Sequence, residues 1–208
     1  MTNILIHGLG QNRYHWNTVN RYLKAHDIQT YSPDLFTSTN HHATNYTTLY
    51  HQFAAYCNTY KTPLNLCGLS LGGVLALDYA KTNPEKVRSL ILIGTPYHIP
   101  KHLFKLQNLM FQLTPSTVFE QMGLPKSNFI HLVQSMAHLD IAKDLTQISC
   151  ETLILCGQKD ITNMKSAVDL QKHIPNSRCH LIKNSGHEVN IDNPLVLAQY
   201  IADFWQGC

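Results

Sequence analysis

The chain has 208 residues, enough to bury one sizeable core, and its 44% apolar and 14% charged residues set it apart from disordered chains. A formal charge of +3 is spread thinly, with no Lys or Arg run longer than a pair, which excludes a nucleic-acid-binding surface as the basis of function. No stretch approaches the roughly eighteen apolar residues of a membrane span, and the opening Met-Thr-Asn-Ile-Leu-Ile-His-Gly lacks the basic segment of a secretory leader, so a cytoplasmic protein without a membrane partner is expected.

In chain order, Asn3 to His7 reads as a strand and Asn12 to Ala25 as an amphipathic helix, followed by a strand over Ile28 to Ser32. A helix over Tyr46 to Tyr60 leads to an apolar strand over Leu64 to Leu69, and Leu71 to Thr82 is helical directly after it. The strand Ser89 to Ile93 then gives way to roughly fifty residues, Tyr97 to Gln147, that lack a strand pattern. Helical spacing appears there over Leu103 to Leu113, Ser116 to Met122 and Lys126 to His138, with Thr-Pro and Leu-Pro breaks between. Alternation resumes with the strand Thr152 to Cys156, the helix Asn163 to His173 and the strand Arg178 to Ile182. A final helix over Pro194 to Trp205 follows Asn193 as cap, and Leu197, Tyr200, Ile201 and Phe204 give it one apolar face to pack on the sheet. This alternation predicts an α/β fold: a mostly parallel six-stranded sheet flanked by helices, in a single domain of core 1–96 and 148–208 with a helical cap over 97–147 inserted after the fourth strand. The six cysteines are expected as free thiols, with Cys67 and Cys156 inside strands.

Three chemical groups stand at the ends of these strands. Gly68-Leu69-Ser70-Leu71-Gly72 places Gly-x-Ser-x-Gly between an apolar strand and an amphipathic helix, the setting in which a serine is held on a strained turn as a nucleophile. The amide of Leu71, first in that helix, faces the place where a carbonyl oxygen would become negative, and His7-Gly8-Leu9-Gly10 at the end of the first strand offers the Leu9 amide as a second donor. Of thirteen histidines, His187 is the best placed as general base, in the Ser185-Gly186-His187 loop after the last strand. Asp160, four residues past the fifth strand, suits the acid that orients it. His180, within a strand, and His41 and His42, in an early polar loop, read as structural or solvated. His98 and His102 share i, i+4 spacing, but no third ligand accompanies them, so no metal is assigned.

The order Ser, Asp, His, with His-Gly-Leu-Gly-Gln at the start, Gly68-Leu-Ser70-Leu-Gly-Gly73 in the middle, and Gly157-Gln-Lys-Asp160 and Gly186-His187 near the end, resembles the α/β-hydrolase superfamily, in particular its small bacterial carboxylesterase-like members. The resemblance implies acyl transfer through Ser70, with no cofactor, on a small-molecule ester by a monomer or small homo-oligomer. It differs in two places: the chain begins at what would be the family's third strand, and after Pro33-Asp34 the usual Gly-x-Gly-x-Ser turn is replaced by Leu35-Phe36-Thr37-Ser38-Thr39. Substrate choice is expected in the apolar 97–147 segment, with Met110, Met122 and Met136, together with Gly8, as substrate-binding candidates for a small to medium, largely apolar ester. Thioesterase action, C–C bond hydrolysis or lysis, and a non-catalytic small-molecule receptor are the alternatives. Lyases that hold polycarboxylates use arginines, and the 97–147 segment has none.

Overall fold

The computed structural model describes residues 1–36, 45–98, 111, 114–121, 124–137 and 139–208. Six strands, β1 (Thr2–Ile6), β2 (Thr30–Tyr31), β3 (Leu64–Leu69), β4 (Val87–Ile93), β5 (Glu151–Gly157) and β6 (Ser177–Ile182), form one sheet in the order β2-β1-β3-β4-β5-β6. Every pairing in it is parallel. The helices among the described residues are α1 (Asn17–Ala25), α2 (Tyr46–Asn58), α3 (Leu71–Thr82), α4 (Ser116–Gln121), α5 (Lys126–Met136), α6 (Ile161–His173), α7 (Val189–Asp192) and α8 (Pro194–Gly207).

The period-2 alternation of each strand sends its side chains to two separate cores, because a parallel sheet covered by helices is buried on both faces. On one face Ile4, Ile6, Leu66, Leu90, Leu92 and Ile154 pack with residues of α2, α3 and α6. On the other, Leu5, Cys67, Ile91, Ile93, Leu153 and Leu155 meet Val19 and Leu23 of α1 and Leu197, Ile201, Phe204 and Trp205 of α8. The last helix therefore closes the second face through the residues its spacing picked out. Phe119, Phe129, Leu132, Val133 and Met136 of α4 and α5 belong to the first core, and the Tyr46 amide donates to Ser135 Oγ at 2.8 Å, tying α2 to α5.

Two elements differ from their sequence patterns for local reasons. The helix expected from Asn12 begins as a 3-10 turn over Arg13–Trp16, in which Asn12 and His15 exchange side-chain-to-backbone capping bonds, before α1 proper starts. The second strand is only two residues long because α1 ends in a Schellman motif. Asp27 adopts φ +59°, its amide bonds the Lys24 carbonyl and the Ile28 amide bonds the Leu23 carbonyl, so Ile28 belongs to the helix cap and to the core beside Leu23. The predicted helix at Leu103 to Leu113 lies, apart from Phe111, outside the described residues, as do Met110, Met122, His41, His42 and His102.

All six cysteines are free thiols, and Cys57, Cys67 and Cys156 are buried. Burial pushes the Cys57 thiol up to about 12, so it is an inert apolar filler.

Candidate active site

Ser70 follows the last residue of β3, whose six residues are all buried, and precedes the first residue of α3. Its backbone stands at φ +52°, in the left-handed region that side chains avoid, as expected of a serine on a sharp strand-to-helix turn. Its amide donates to the Ile93 carbonyl at 2.8 Å and its carbonyl accepts from Val74, so the turn is locked to β4 on one side and to α3 on the other. Two glycines make this approach possible. A Cβ on Gly68 would stand 2.3 Å from the Gly72 carbonyl oxygen, and one on Gly72 would stand 2.4 Å from the Ile6 carbonyl oxygen. The Leu71 amide, in the first turn of α3, has no partner within the helix and stays available for a ligand.

The loop after β1 runs beside this turn: a Cβ on Gly8 would lie 3.5 Å from Ser70 Cβ. Gly10 has φ +83° and the Gln11 amide donates to the Gly8 carbonyl at 3.3 Å, which closes a β-turn whose third position demands glycine. His7, fully buried, fixes the start of the loop. The Leu35 amide donates to His7 Nε2 at 3.0 Å, so the ring proton is on Nδ1, which donates to the Gly8 carbonyl at 2.9 Å. Burial is the largest cause that lowers the His7 pKa, against smaller opposing effects of the Gly8 bond and Asp34, and keeps the ring neutral. With the Gly8 oxygen held toward His7 and the Gln11 amide, the trans peptide turns the Leu9 N–H the opposite way. The loop that departs from the family pattern after Asp34 thus has a definite start, with Leu35 bonded to His7 and Phe36 packed edge-on against its ring at 5.4 Å.

His187 and Asp160 are in contact, His187 Nδ1 to Asp160 Oδ2 at 2.7 Å. The imidazole reaches from the loop after β6 over the end of β4, where a Cβ on Gly94 would be 3.1 Å from Nδ1; Gly94 directly follows Ile93, the residue that holds the Ser70 amide. Asp160 is the N-cap of α6 and is 7% exposed. Burial pushes its carboxyl up, but hydrogen bonds from His187 and Asn163 outweigh that and hold it below the ordinary aspartate range. As a carboxylate it only accepts, so His187 Nδ1 carries the proton and Nε2 is left free as a base. Asn163 Nδ2 lies 3.0 Å and 2.9 Å from the two Asp160 oxygens and 3.2 Å from His187 Nδ1; the last pair are two donors converging on one carboxylate.

Asp192 accepts from the Gly186 amide at 2.6 Å and so braces the loop that carries His187. His180 is exposed on the edge strand, its ring tilted at 41° against Tyr200 with centroids 5.5 Å apart. Met136 is buried in the first core. Among the described residues no group of three His, Cys, Asp or Glu side chains could hold a metal.

Four side chains at this edge of the sheet had no role in the sequence reading: His7, Gln11, Asn163 and Asn190. His7 carried a signal, a titratable residue at the end of an otherwise apolar strand. Gln11 closes the His-Gly-Leu-Gly-Gln motif, but its pairing with Asn190 carried no signal, because the two meet across 179 residues of sequence.

The model of the "Alpha/beta hydrolase family" matches residues 4–200. Among curated proteins, the monoacylglycerol lipase ABHD6 of Homo sapiens is 26% identical over 195 residues, covering 74% of this chain and 58% of its own length, so the chain spans a little over half of that relative. Among solved structures, a thermophilic esterase from Thermogutta terrifontis superposes with a TM-score of 0.82 at 21% identity, covering 100% of this chain and 90% of its own. The enol-lactonase from Burkholderia xenovorans LB400 superposes with a TM-score of 0.84 at 15% identity, covering 99% and 91%. Among the described residues no helix is long and apolar enough to cross a membrane.

Proposed function

This chain belongs to the alpha/beta hydrolase family, and on that premise we propose that it is a serine hydrolase that cleaves small to medium, largely apolar carboxylic esters through an acyl-enzyme on Ser70. The observation that carries the reading is a serine at φ +52° whose amide is held by Ile93, with a histidine over the next residue, Gly94, whose Nδ1 is bonded at 2.7 Å to a buried carboxylate.

Ser70 Oγ attacks the ester carbonyl as His187 Nε2 takes its proton, and Asp160 stabilises the imidazolium that forms. The amides of Leu9 and Leu71 hold the oxyanion, the second aided by the positive end of α3. His187 then returns the proton to the departing alcohol and activates water against the acyl group. Each step needs only these groups. Selection of the acyl or alcohol part is assigned to the 97–147 segment, with Gly8, beside Ser70, and Met110 and Met122 as the substrate-binding candidates; Met136 is used in core packing instead. The relative's lipase activity and the structural neighbour's esterase name support the ester class.

Turnover of p-nitrophenyl acetate and butyrate tests this reading. The wild-type chain releases nitrophenol and Ser70→Ala lowers kcat by about 10^4-fold or more. Equal rates in the two proteins would remove Ser70 from the chemistry and favour a receptor without turnover.

A further inference from the structure

The Leu9 amide and His187 hang on strands that share no hydrogen bond: three strands, β3, β4 and β5, stand between β1 and β6. The sheet ladder alone therefore does not set the distance between the loop that binds the oxyanion and the loop that carries the base. We propose that Gln11 and Asn190, anchored by Glu188, are positioning residues that clasp these two loops in one register. The proposal rests on the acyl-transfer reading given above and extends it.

Gln11 is 2% exposed and Asn190 1%. Their carboxamides bond reciprocally: Gln11 Nε2 lies 3.2 Å from Asn190 Oδ1, and Asn190 Nδ2 lies 3.0 Å from Gln11 Oε1. The remaining capacity is also used. Gln11 Nε2 donates to Glu188 Oε1 at 2.8 Å, and Asn190 Nδ2 reaches the His15 carbonyl at 3.4 Å, on the turn that follows the oxyanion loop. Gln11 is two residues after Leu9, and its own amide closes the turn on the Gly8 carbonyl; Glu188 and Asn190 are one and three residues after His187.

A buried amide left without partners is costly, and this pair is satisfied only when both loops stand in one relative position. An apolar pair would fill the same space in many registers. Motion of the Gln11 side chain is transmitted through the Gly8–Gln11 turn to the Leu9 peptide, whose N–H is one of the two oxyanion donors. That interaction grows as charge develops on the carbonyl oxygen, so the clasp acts on the transition state more than on substrate binding.

The experiment compares Gln11→Ala, Asn190→Ala, the double variant and Gln11→Glu with the wild-type chain. Gln11→Glu keeps the shape and the acceptor for Asn190 but turns a carboxylate on Glu188, so it reports on the clasp if the alanine variants fold poorly. The measurements are kcat and KM for p-nitrophenyl butyrate, affinity for an aliphatic trifluoromethyl ketone that adds to the serine as an oxyanion, and the thermal midpoint. Each single variant is expected to lower kcat about 10- to 100-fold with KM little changed, to weaken the ketone by the same factor, and to be no worse when combined with the other. A lowered midpoint with wild-type kcat and ketone affinity, or losses that multiply in the double variant, would overturn the clasp and leave a structural pair. A wild-type chain that neither turns over the ester nor binds the ketone fails the hydrolase reading itself, and the clasp with it.

Discussion

His7 sits where β1 gives way to the Gly8–Gln11 turn, and its neutral ring holds that junction, one nitrogen accepting from Leu35 and the other donating to Gly8. Because burial lowers its pKa, the unfolded chain takes up a proton that the native ring resists. The stability His7 contributes is complete above its ordinary value of 6.5 and is lost as pH falls from there through the depressed native value. Asp160, also depressed, acts in a separate window below its ordinary value of 3.8, where acid removes the carboxylate that His187 and Asn163 bond. Thermal midpoints of the wild-type chain and of His7→Gln, whose side-chain oxygen still accepts from Leu35, should therefore diverge between about pH 7 and pH 5, with the wild type falling more steeply. Parallel slopes would show that His7 titrates normally.

The elements owe part of their register to a polar row that crosses the sheet at the end opposite the site. Asn3 Nδ2 donates to the Gln29 carbonyl, Asn65 Nδ2 to Asn3 Oδ1 at 2.7 Å, and Ser89 Oγ to Asn65 Oδ1 at 2.8 Å, linking the chain before β2 to β1, β3 and β4. Asn65 is 2% exposed and Ser89 fully buried. Asn65→Ala strands both partners, and urea denaturation should show a loss of about 2 kcal/mol or more. A loss within experimental error would mean that the apolar residues set the register alone. The strand and helix pattern was legible because it is local: the bounds of β3 and α3 coincide with the hydrophobic runs around Ser70. The short β2 was not, because the same Ile28 that looks like a strand residue is bound into the Schellman end of α1, and periodicity does not distinguish the two.

At the scale of the whole molecule, a parallel sheet with helices on both faces gathers strand ends from distant parts of the sequence at one edge, which is where ligands bind in such sheets. The places of Ser70, Asp160 and His187, proposed as the catalytic residues, were legible because each follows a strand end closely, and a strand end is a local feature. The side chains that hold those loops, Asn163 on Asp160 and the Gln11–Asn190 pair between β1 and β6, were not, because their pairing exists only after the sheet has assembled. The inserted segment shows the same limit. Its apolar residues in α4 and α5 read equally well as pocket or packing, and in the structure Phe119, Phe129 and Leu132 are buried in the first hydrophobic core. The central claim, a histidine-activated nucleophile at Ser70, is tested most directly by reacting the wild-type chain, Ser70→Ala and His187→Ala with a fluorophosphonate and locating the adduct by peptide mass spectrometry. The account predicts one adduct, on Ser70, absent in Ser70→Ala and formed at least about 10^3-fold more slowly in His187→Ala. A folded wild-type chain that forms no adduct, or an adduct that survives in Ser70→Ala, would contradict it.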